Sequence, residues 1–257
     1  MKYALITGAS SGCGYEYARL LAEKGYNLLI VSNEDAIHDK AQSLREDYPI
    51  EVRSLVMDLG RQEAAKELYS YCAEQGLEIE VLVNNAGVYH DRDFVDDSEA
   101  FNLLIMNLHM ITPAMLIYYF AQEMAKRGKG YVLNMCSVTA DIAVQRLGSY
   151  GSTKAFLRNF TRSLYVEMKD KGVVITDVTP GAINTGLYNI RPWATKLGLI
   201  MGYIVQPNYL ARRGLNAMFR GRSKVSVPFV WNYLLIWLVV LFVPTCLLRL
   251  IRKMGLF

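Results

Sequence analysis

The sequence predicts an α/β fold in which helices cover both faces of a central parallel sheet. Short apolar runs rich in β-branched residues alternate with longer amphipathic segments. Repeated strand-helix-strand units of this kind form parallel sheets with right-handed crossovers. The 257 residues are 52% hydrophobic and 20% charged. This composition fits one large globular domain and excludes a disordered or collagen-like chain.

The elements follow one another regularly over the first 180 residues. Strands are predicted over residues 3–7, 27–31, 51–57, 79–84, 131–136 and 173–179. Amphipathic helices are predicted over residues 15–24, 35–47, 62–75, 100–127 and 149–171. In the last helix, apolar residues recur at steps of three and four, which places them on one face. They are Leu157, Phe160, Leu164 and Met168.

Charge is divided unevenly along the chain. Residues 1–177 carry 18 basic and 24 acidic side chains, whereas residues 178–257 carry 10 basic and no acidic ones. The acid-free part indicates an anionic partner or surface. The four cysteines and three histidines lack metal-ligand spacing, so we predict no metal site. The first apolar run is too short for a signal peptide, which favours a cytoplasmic location.

A glycine-rich turn follows the first predicted strand and leads into the first helix. It reads Thr7-Gly8-Ala9-Ser10-Ser11-Gly12-Cys13-Gly14. Glycines at such a junction permit a tight turn and let a pyrophosphate approach the amides at the positive end of the helix. A plain turn is the alternative. We predict a dinucleotide site in a doubly wound, Rossmann-type domain, with contacts from Thr7, Gly8, Ser10, Ser11, Gly12, Cys13 and Gly14.

Further short motifs occur in a fixed order after this turn. Asn84-Asn85-Ala86-Gly87 closes the fourth strand, Asn107 lies in the fourth helix, and Ser137 follows the fifth strand. Tyr150 and Lys154 form a YxxxK pair, and residues 180–185 read PGxxxT. Together with the GxxxGxG spacing of the first turn, these motifs resemble the short-chain dehydrogenase/reductase family over about residues 3–220.

The resemblance implies roles for specific residues. Asp58 and Leu59 would contact adenine, and Ser32 and Asn33 would face the adenosine ribose. Further cofactor contacts would come from Asn85, Ala86, Gly87, Tyr150, Lys154, Pro180, Gly181, Ile183 and Thr185. No acidic residue stands at position 32 or 33 to oppose a 2′-phosphate, so we expect NADP(H) to be favoured over NAD(H).

The catalytic residues implied are Asn107, Ser137, Tyr150 and Lys154. A tyrosine titrates near pKa ~10, and a lysine one turn later on the same helical face stabilises its phenolate. Tyr150 would therefore act as acid in carbonyl reduction and as base in alcohol oxidation. As in the family, Ser137 would hold the substrate oxygen, Lys154 the nicotinamide ribose, and Asn107 a water that links Lys154 to solvent.

A second YxxxK pair, Tyr165 and Lys169, has Ser152 thirteen residues before its tyrosine, the same offset as from Ser137 to Tyr150. Ser152 and Tyr165 fall within one predicted helix, where thirteen residues span roughly 20 Å. They therefore cannot converge on one substrate oxygen. Ser137 instead ends a strand, where open α/β sheets bind ligands.

The last third of the chain is strongly apolar. The family resemblance implies that residues 183–206 form a lid over the substrate. The apolar residues of this lid favour a hydrophobic substrate, although packing on the domain or on a partner subunit would also explain them. Residues 225–248 carry no charge and have basic residues on both sides. We predict a hydrophobic C-terminal helix that lies in a membrane interface rather than spanning the bilayer. Packing on the domain or in an oligomer contact is the alternative.

These observations predict a catalytic domain over residues 1–224 and a hydrophobic, basic-flanked segment over 225–257. The expected activity is NAD(P)(H)-dependent hydride transfer to or from a secondary alcohol or ketone on an acyl, sphingoid or steroid-like molecule. The apolar end is similar to that of 3-oxoacyl and 3-ketosphinganine reductases and hydroxysteroid dehydrogenases. A membrane-bound dinucleotide scaffold and a reductase of small polar carbonyl compounds are alternatives. We expect a cytoplasmic homo-oligomer, a dimer or tetramer, with peripheral membrane contact and no nucleic-acid partner.

Overall fold

The computed structural model describes residues 2–141, 144–185, 196 and 204–227. The strands are β1 (Lys2–Thr7), β2 (Asn27–Ser32), β3 (Val52–Val56), β4 (Glu78–Asn84), β5 (Gly130–Met135), β6 (Val173–Pro180), β7 (Ala182–Ile183), β8 (Ile204–Val205) and β9 (Lys224–Val227). The helices are α1 (Gly12–Ala22), α2 (Ile37–Asp47), α3 (Ala64–Glu74), α4 (Glu99–Met106), α5 (Thr112–Lys126), α6 (Gly148–Lys169) and α7 (Pro207–Phe219).

Seven strands form the central sheet, in the order β3-β2-β1-β4-β5-β6-β9, and all its neighbours are parallel. The chain builds outward from β1 to β3 and then returns to add β4 on the other side of β1. This reversal opens a crevice beyond the carboxyl ends of β1 and β4, where ligands bind in such sheets. The predicted doubly wound α/β fold is confirmed.

Alternation along the strands divides the core into two layers. In β1, Ala4 and Ile6 face a cluster built with α1, α2 and α7, while Tyr3 and Leu5 face a cluster that includes α3 and α5. Successive side chains of a strand point to opposite faces, so one strand serves both layers. On α6, Phe160, Leu164 and Met168 pack against the second cluster as predicted, and Leu157 is buried beside the crevice.

The predicted helix over residues 100–127 contains a change of pitch. A π turn over Asn107–Ile111 separates α4 from α5. The whole run Glu99–Lys126 is, within the described residues, the one helix long and apolar enough to cross a membrane. Leu116, Ile117 and Phe120 of this helix are buried in the core, and a core helix meets that length and composition test as readily as a membrane span.

The C-terminal part differs from the sequence-based expectation in two ways. Helix α7 and strand β9 were not predicted, and β9 pairs with β6 through Val227. The predicted division at residue 224 therefore falls inside a strand of the sheet, and the first residues of the uncharged stretch 225–248 belong to the fold. Residues 228–257 lie outside the described part of the chain.

The two ends of the predicted lid lie side by side. Strand β7 pairs with β8 in parallel, with Ala182 opposite Ile204 and Ile183 opposite Val205. The backbone N–H of Asn184 donates to the carbonyl of Val205 at 2.9 Å. Most of the apolar residues on which the lid prediction rested, from Leu187 to Tyr203, lie outside the described residues.

Candidate active site

The glycine turn between β1 and α1 packs tightly against the loop that follows β4. Gly8 has a φ of +66°, and a Cβ there would lie 2.7 Å from the Cα of Ala86. A Cβ on Gly14 would collide with the carbonyl oxygen of Gly8. Both positions therefore require glycine. Because α1 begins at Gly12, directly after the turn, its first backbone N–H groups have no partners within the helix, and helix starts of this kind bind phosphate in other proteins.

Thr7 and Asn85 join the two loops by hydrogen bonds. The Asn85 side chain donates to the carbonyls of Thr7 and Gly8, each at 3.0 Å. The hydroxyl of Thr7 accepts the backbone N–H groups of Asn85 at 3.0 Å and Ala86 at 3.1 Å. These predicted cofactor residues thus form one connected floor along the crevice.

The residues predicted to contact the adenosine part gather at the ends of β2 and β3. The hydroxyl of Ser32 donates to that of Ser10 at 3.1 Å and accepts the Glu34 backbone N–H at 3.2 Å. Asn33 is exposed beside them. Asp58 is also exposed and accepts the Gly60 N–H at 2.8 Å, whereas its neighbour Leu59 is buried.

The segment after β6 reaches the opposite side of the crevice. Pro180 pairs with Val227, and the N–H of Gly181 donates to the Val227 carbonyl at 2.7 Å. Ile183 follows in β7, and Thr185 lies close to the glycine turn, because a Cβ on Gly12 would be 3.2 Å from its methyl carbon. The predicted PGxxxT residues therefore face the start of α1.

Ser137, Tyr150 and Lys154 are buried together at this end of the sheet. Ser137 lies just after β5, and its hydroxyl accepts the N–H of Thr139 at 3.2 Å and the Thr139 hydroxyl at 2.9 Å. Tyr150 and Lys154 occupy successive turns at the start of α6, with Nζ of Lys154 at 5.8 Å from the Tyr150 ring centroid. A phenol, an ammonium and a hydroxyl thus share one end of the crevice.

Lys154 is held inside the domain. Its Nζ donates to the carbonyl of Met135 at 2.9 Å, and burial lowers its pKa from 10.5 to about 8. It borders a cavity of about 10 Å³ that Thr7, Asn84 and Thr112 also line. The buried Oδ1 of Asn84 has no hydrogen-bond partner among the described residues. A cavity of this size with several polar walls has room for about one water molecule.

Asn107 begins the π turn, and its carbonyl accepts the N–H of Thr112, five residues later. Such turns often mark functional sites in helices. The turn places Leu108 and His109 on the wall of the cavity beside Lys154. The water link predicted for the Asn107 side chain stays a prediction.

The second YxxxK pair is far from the crevice. Ser152 and Tyr165 both lie in α6, which runs without interruption from Gly148 to Lys169. The Tyr165 hydroxyl donates to the carbonyl of Gly221 at 3.0 Å, on the turn between α7 and β9. This arrangement confirms that Ser152 and Tyr165 do not converge.

Two polar residues of the site were not predicted from the sequence. His109 is buried beside Tyr150, with ring centroids 5.6 Å apart, and Thr153 contacts His109 from α6. The available signals were the position of His109 two residues after Asn107 and that of Thr153 inside the YxxxK motif.

Comparisons with known proteins agree with this arrangement. A family model described as short chain dehydrogenase matches residues 2–193. The very-long-chain 3-oxoacyl-CoA reductase-A of Danio rerio is 33% identical over 195 residues, which cover 74% of this chain and 60% of the relative. The chain thus matches less than two thirds of that relative's length.

Two solved structures share the fold over most of both chains. A bulky-bulky ketone specific alcohol dehydrogenase from Comamonas testosteroni is 28% identical with a TM-score of 0.78, covering 91% of this chain and 90% of the other. A short-chain dehydrogenase from Sphingobium yanoikuyae in complex with NADPH is 25% identical with a TM-score of 0.79, covering 91% and 92%. The glycine turn, the YxxxK pair on α6 and the family match together identify this chain as a member of the short-chain dehydrogenase/reductase family.

Proposed function

We propose that this protein is an NAD(P)(H)-dependent oxidoreductase that interconverts a secondary alcohol and a ketone on an apolar molecule. The observation that carries the proposal is the burial of Tyr150 and Lys154 beside Ser137, at the end of a crevice that begins at the glycine turn. Two solved family members that share this fold are a ketone-specific alcohol dehydrogenase and a dehydrogenase bound to NADPH.

The residues present fit a dinucleotide. A Cβ at Gly8 or Gly14 would collide with the protein's own backbone, so glycine at these positions lets the turn fold tightly and α1 begin beside the loop after β4. That helix start would hold the pyrophosphate, Ser32 and Asn33 the adenosine ribose, and residues 180–185 the nicotinamide end. When bound, a nicotinamide dinucleotide supplies or accepts hydride.

The chain's own residues would manage the substrate oxygen and its proton. During reduction, the Tyr150 hydroxyl would donate its proton to the carbonyl oxygen as a bond to hydrogen forms at the carbonyl carbon. The Ser137 hydroxyl would orient the same oxygen. Proton transfer leaves a phenolate on Tyr150, and the positive charge of Lys154, buried next to the ring, would stabilise it. Oxidation of the alcohol would follow the same steps in reverse.

Three features support an apolar substrate. The ring of Tyr89 packs edge-on against Tyr150 at 5.3 Å between centroids, which gives the catalytic end an aromatic wall. The segment joined at β7 and β8 is rich in apolar residues in the sequence. The relative from Danio rerio is named for a very-long-chain 3-oxoacyl thioester. Long-chain 3-oxoacyl, sphingoid and steroid ketones are therefore the substrate classes to test.

The test is a screen with NADPH oxidation as readout. The panel contains a long-chain 3-oxoacyl-CoA, a sphingoid ketone, a steroid ketone and, as a polar comparison, a small sugar ketone. We expect turnover of at least one apolar ketone and little turnover of the sugar. Turnover confined to the sugar would overturn the assignment of an apolar substrate.

Tyr150→Phe tests the catalytic assignment directly. Loss of the proton donor should reduce kcat by about 10³-fold or more, a large general acid effect, while NADPH binding, followed by its fluorescence, should change little. Tyr165→Phe is the matched control, because Tyr165 lies on the same helix but bonds to Gly221. Unchanged turnover in Tyr150→Phe would refute the proposed mechanism.

A further inference from the structure

His109 makes directional hydrogen bonds to two separate parts of the candidate site. It lies on the π turn with 1% of its surface exposed. Its Nε2 is 3.0 Å from the backbone N of Val88, directly after the Asn85-Ala86-Gly87 loop. Its Nδ1 is 3.1 Å from the hydroxyl oxygen of Thr153 on α6. One imidazole therefore connects the loop after β4 with the helix that carries Tyr150 and Lys154.

The directions of these bonds determine the tautomer of His109. A backbone N–H can only donate, so Nε2 must accept from Val88. The Thr153 hydroxyl donates its proton to the carbonyl of Tyr150 at 2.8 Å, so it accepts from His109, and Nδ1 must carry a hydrogen. In a doubly protonated ring, the Nε2–H of His109 and the N–H of Val88 would be two donors facing each other with no acceptor between them. The bonds are consistent only with the neutral Nδ1–H form.

The chain of bonds ends at the catalytic turn itself. It runs from the Val88 N–H through His109 and the Thr153 hydroxyl to the carbonyl of Tyr150. The imidazole also meets the Tyr150 ring edge-on at 5.6 Å between centroids. There is little space around it, since a Cβ on Gly87 would lie 2.9 Å from Nε2. The ring therefore fixes a distance between two backbones rather than filling a loose pocket.

We propose that neutral His109 is a positioning residue that sets the spacing between residues 85–88, on the floor of the crevice, and the Tyr150–Lys154 turn of α6. The proposal rests on the proposed function, in which Tyr150 donates a proton at this position. His109 does not touch the reacting atoms in this scheme. It acts through the Val88 N–H on one side and Thr153 on the other.

Its charge environment agrees with a ring that stays neutral. The titratable side chains that face His109 are Tyr150 and Lys154, both from α6. The neighbours from the π turn and from the loop after β4 are Leu108, Gly87 and Val88, which do not titrate. Burial first, and then the positive charge of Lys154, hold the pKa of His109 well below its ordinary value. A second cation so close to Lys154 is thereby avoided.

Kinetics of matched variants test the positioning role. His109→Phe keeps an aromatic ring but offers no acceptor to Val88, and we expect kcat for the fastest ketone of the panel to fall about 10-fold to 100-fold, because small displacements of catalytic groups have effects of this size. His109→Gln retains an acceptor of similar reach and should recover kcat to within about 3-fold of wild type. Equal losses in both variants would contradict the proposal.

Thr153→Val tests the second half of the chain of bonds. It should lower kcat as His109→Phe does, and the double variant should lose little more than the worse single variant, because the two residues act in series. Thr176→Val is the control: Thr176 is a buried threonine of β6 that donates to the Arg222 carbonyl, away from the crevice. It should lower stability and leave kcat unchanged. Independent, multiplicative effects of the first two substitutions would overturn the proposal.

A substrate-free measurement separates this inference from the proposed function. With three histidines in the chain, nitrogen NMR of the wild type, assigned with His109→Phe, reads the His109 tautomer directly. We expect the neutral Nδ1–H form at every pH from about 5 to 9, a range that extends on both sides of the ordinary histidine pKa of about 6.5. An Nε2–H tautomer or a titration in this range would refute the positioning role, even if no ketone of the panel were turned over.

Discussion

A lysine ammonium is among the groups most costly to remove from water, yet Lys154 is 5% exposed and its pKa falls to about 8. Its recorded hydrogen bond, to the Met135 carbonyl, replaces only part of the lost hydration. The chemistry proposed for Tyr150 uses this cation at close range. The same residue should therefore oppose folding, as expected where a functional site is tuned at the expense of stability.

The destabilising effect of Lys154 can be measured from the pH dependence of the unfolding free energy. The pKa of Lys154 lies near 8 in the folded chain and near 10.5 in the unfolded chain, so between these values the unfolded chain binds more protons and the unfolding free energy rises with pH. Below about pH 8 the destabilisation is complete. At pH 7 we expect the unfolding free energy of Lys154→Met to exceed that of the wild type by about 1–2 kcal/mol. This figure already subtracts the loss of one hydrogen bond in the variant.

Urea unfolding at pH 7 and at about pH 9.5 measures this difference, which should shrink at the higher pH as wild-type Lys154 loses its charge. Lys169→Met, at the end of the same helix, serves as the control, since Lys169 is exposed. A Lys154→Met protein that is less stable than wild type by the same amount at both pH values would contradict the argument.

Cofactor choice also depends on single side chains. Ser32 and Ser10 present hydroxyls where an acid would bind both ribose hydroxyls of NAD(H). We expect NADPH to bind more tightly than NADH to the wild type. In Ser32→Asp, a carboxylate would repel the 2′-phosphate and reverse the preference. Dissociation constants of both cofactors, measured by fluorescence on both proteins, check this; tighter NADH binding to the wild type would contradict it.

At the scale of elements, helix α7 contacts α1 at a glycine, Gly214. A Cβ on Gly214 would lie 2.8 Å from the Tyr17 hydroxyl and 3.2 Å from a methyl group of Val178. Tyr17 is fully buried and donates to the sulfur of Met135 at 3.2 Å. The absence of a side chain at residue 214 therefore lets α7 lie flat against α1 and the sheet.

Gly214→Ala should consequently destabilise the protein despite alanine's higher helix propensity. We expect a loss of about 1–3 kcal/mol from overpacking, where an exposed helical position would gain about 1 kcal/mol. Tyr17→Phe removes the clashing oxygen, so the double variant should recover part of the loss. Chemical denaturation of the four proteins measures the coupling, and strictly additive effects would show that the hydroxyl is not the obstacle.

The elements that the sequence predicted are those with a clear period. The face of α6 formed by Phe160, Leu164 and Met168 recurs at helical steps and packs as expected. Helix α7 was missed because Gly214 lowers its helix propensity, although Arg212 and Arg213 lie on its exposed face and its buried residues recur at helical steps. Strand β9 was missed because its last residues open an uncharged run that suggested a membrane segment.

For the candidate site, short motifs predicted which residues gather but not how they are held. The bonds from Asn85 to Thr7 and Gly8 join residues 78 and 77 positions apart, and those of His109 reach 21 and 44 positions along the chain. Such contacts depend on sheet order and on the π turn. A linear pattern does not contain either of these.

At the scale of the whole molecule, the last strand of the sheet leads directly into the uncharged, apolar run of the sequence. Strand β9 ends at Val227, paired with Pro180; the uncharged run continues to residue 248, and the basic residues Arg249, Arg252 and Lys253 follow it. Stretches that combine basic clusters with apolar residues bind anionic lipid surfaces through both charge and buried area. We propose that residues 228–257 provide such a contact.

A protein shortened to end at Val227 tests this proposal. It retains all seven strands of the central sheet and should still fold and bind NADPH. We expect the full chain to sediment with phosphatidylserine-containing vesicles, less so at high salt, and the shortened protein to stay in solution. Pure phosphatidylcholine vesicles are the control for charge. Failure of the full chain to bind anionic vesicles would argue for packing on the domain or in an oligomer.

The pairing of β7 with β8 gives the molecule a further property. Because Ile183 and Val205 stand opposite each other, the two points at which the segment between β7 and β8 joins the described fold lie side by side. The energetic cost of closing a loop grows only slowly with its length, so we expect that the segment between the two strands can be lengthened or shortened with little effect on the sheet. A change confined to the segment between β7 and β8 would in this way alter the substrate and leave the catalytic residues unchanged.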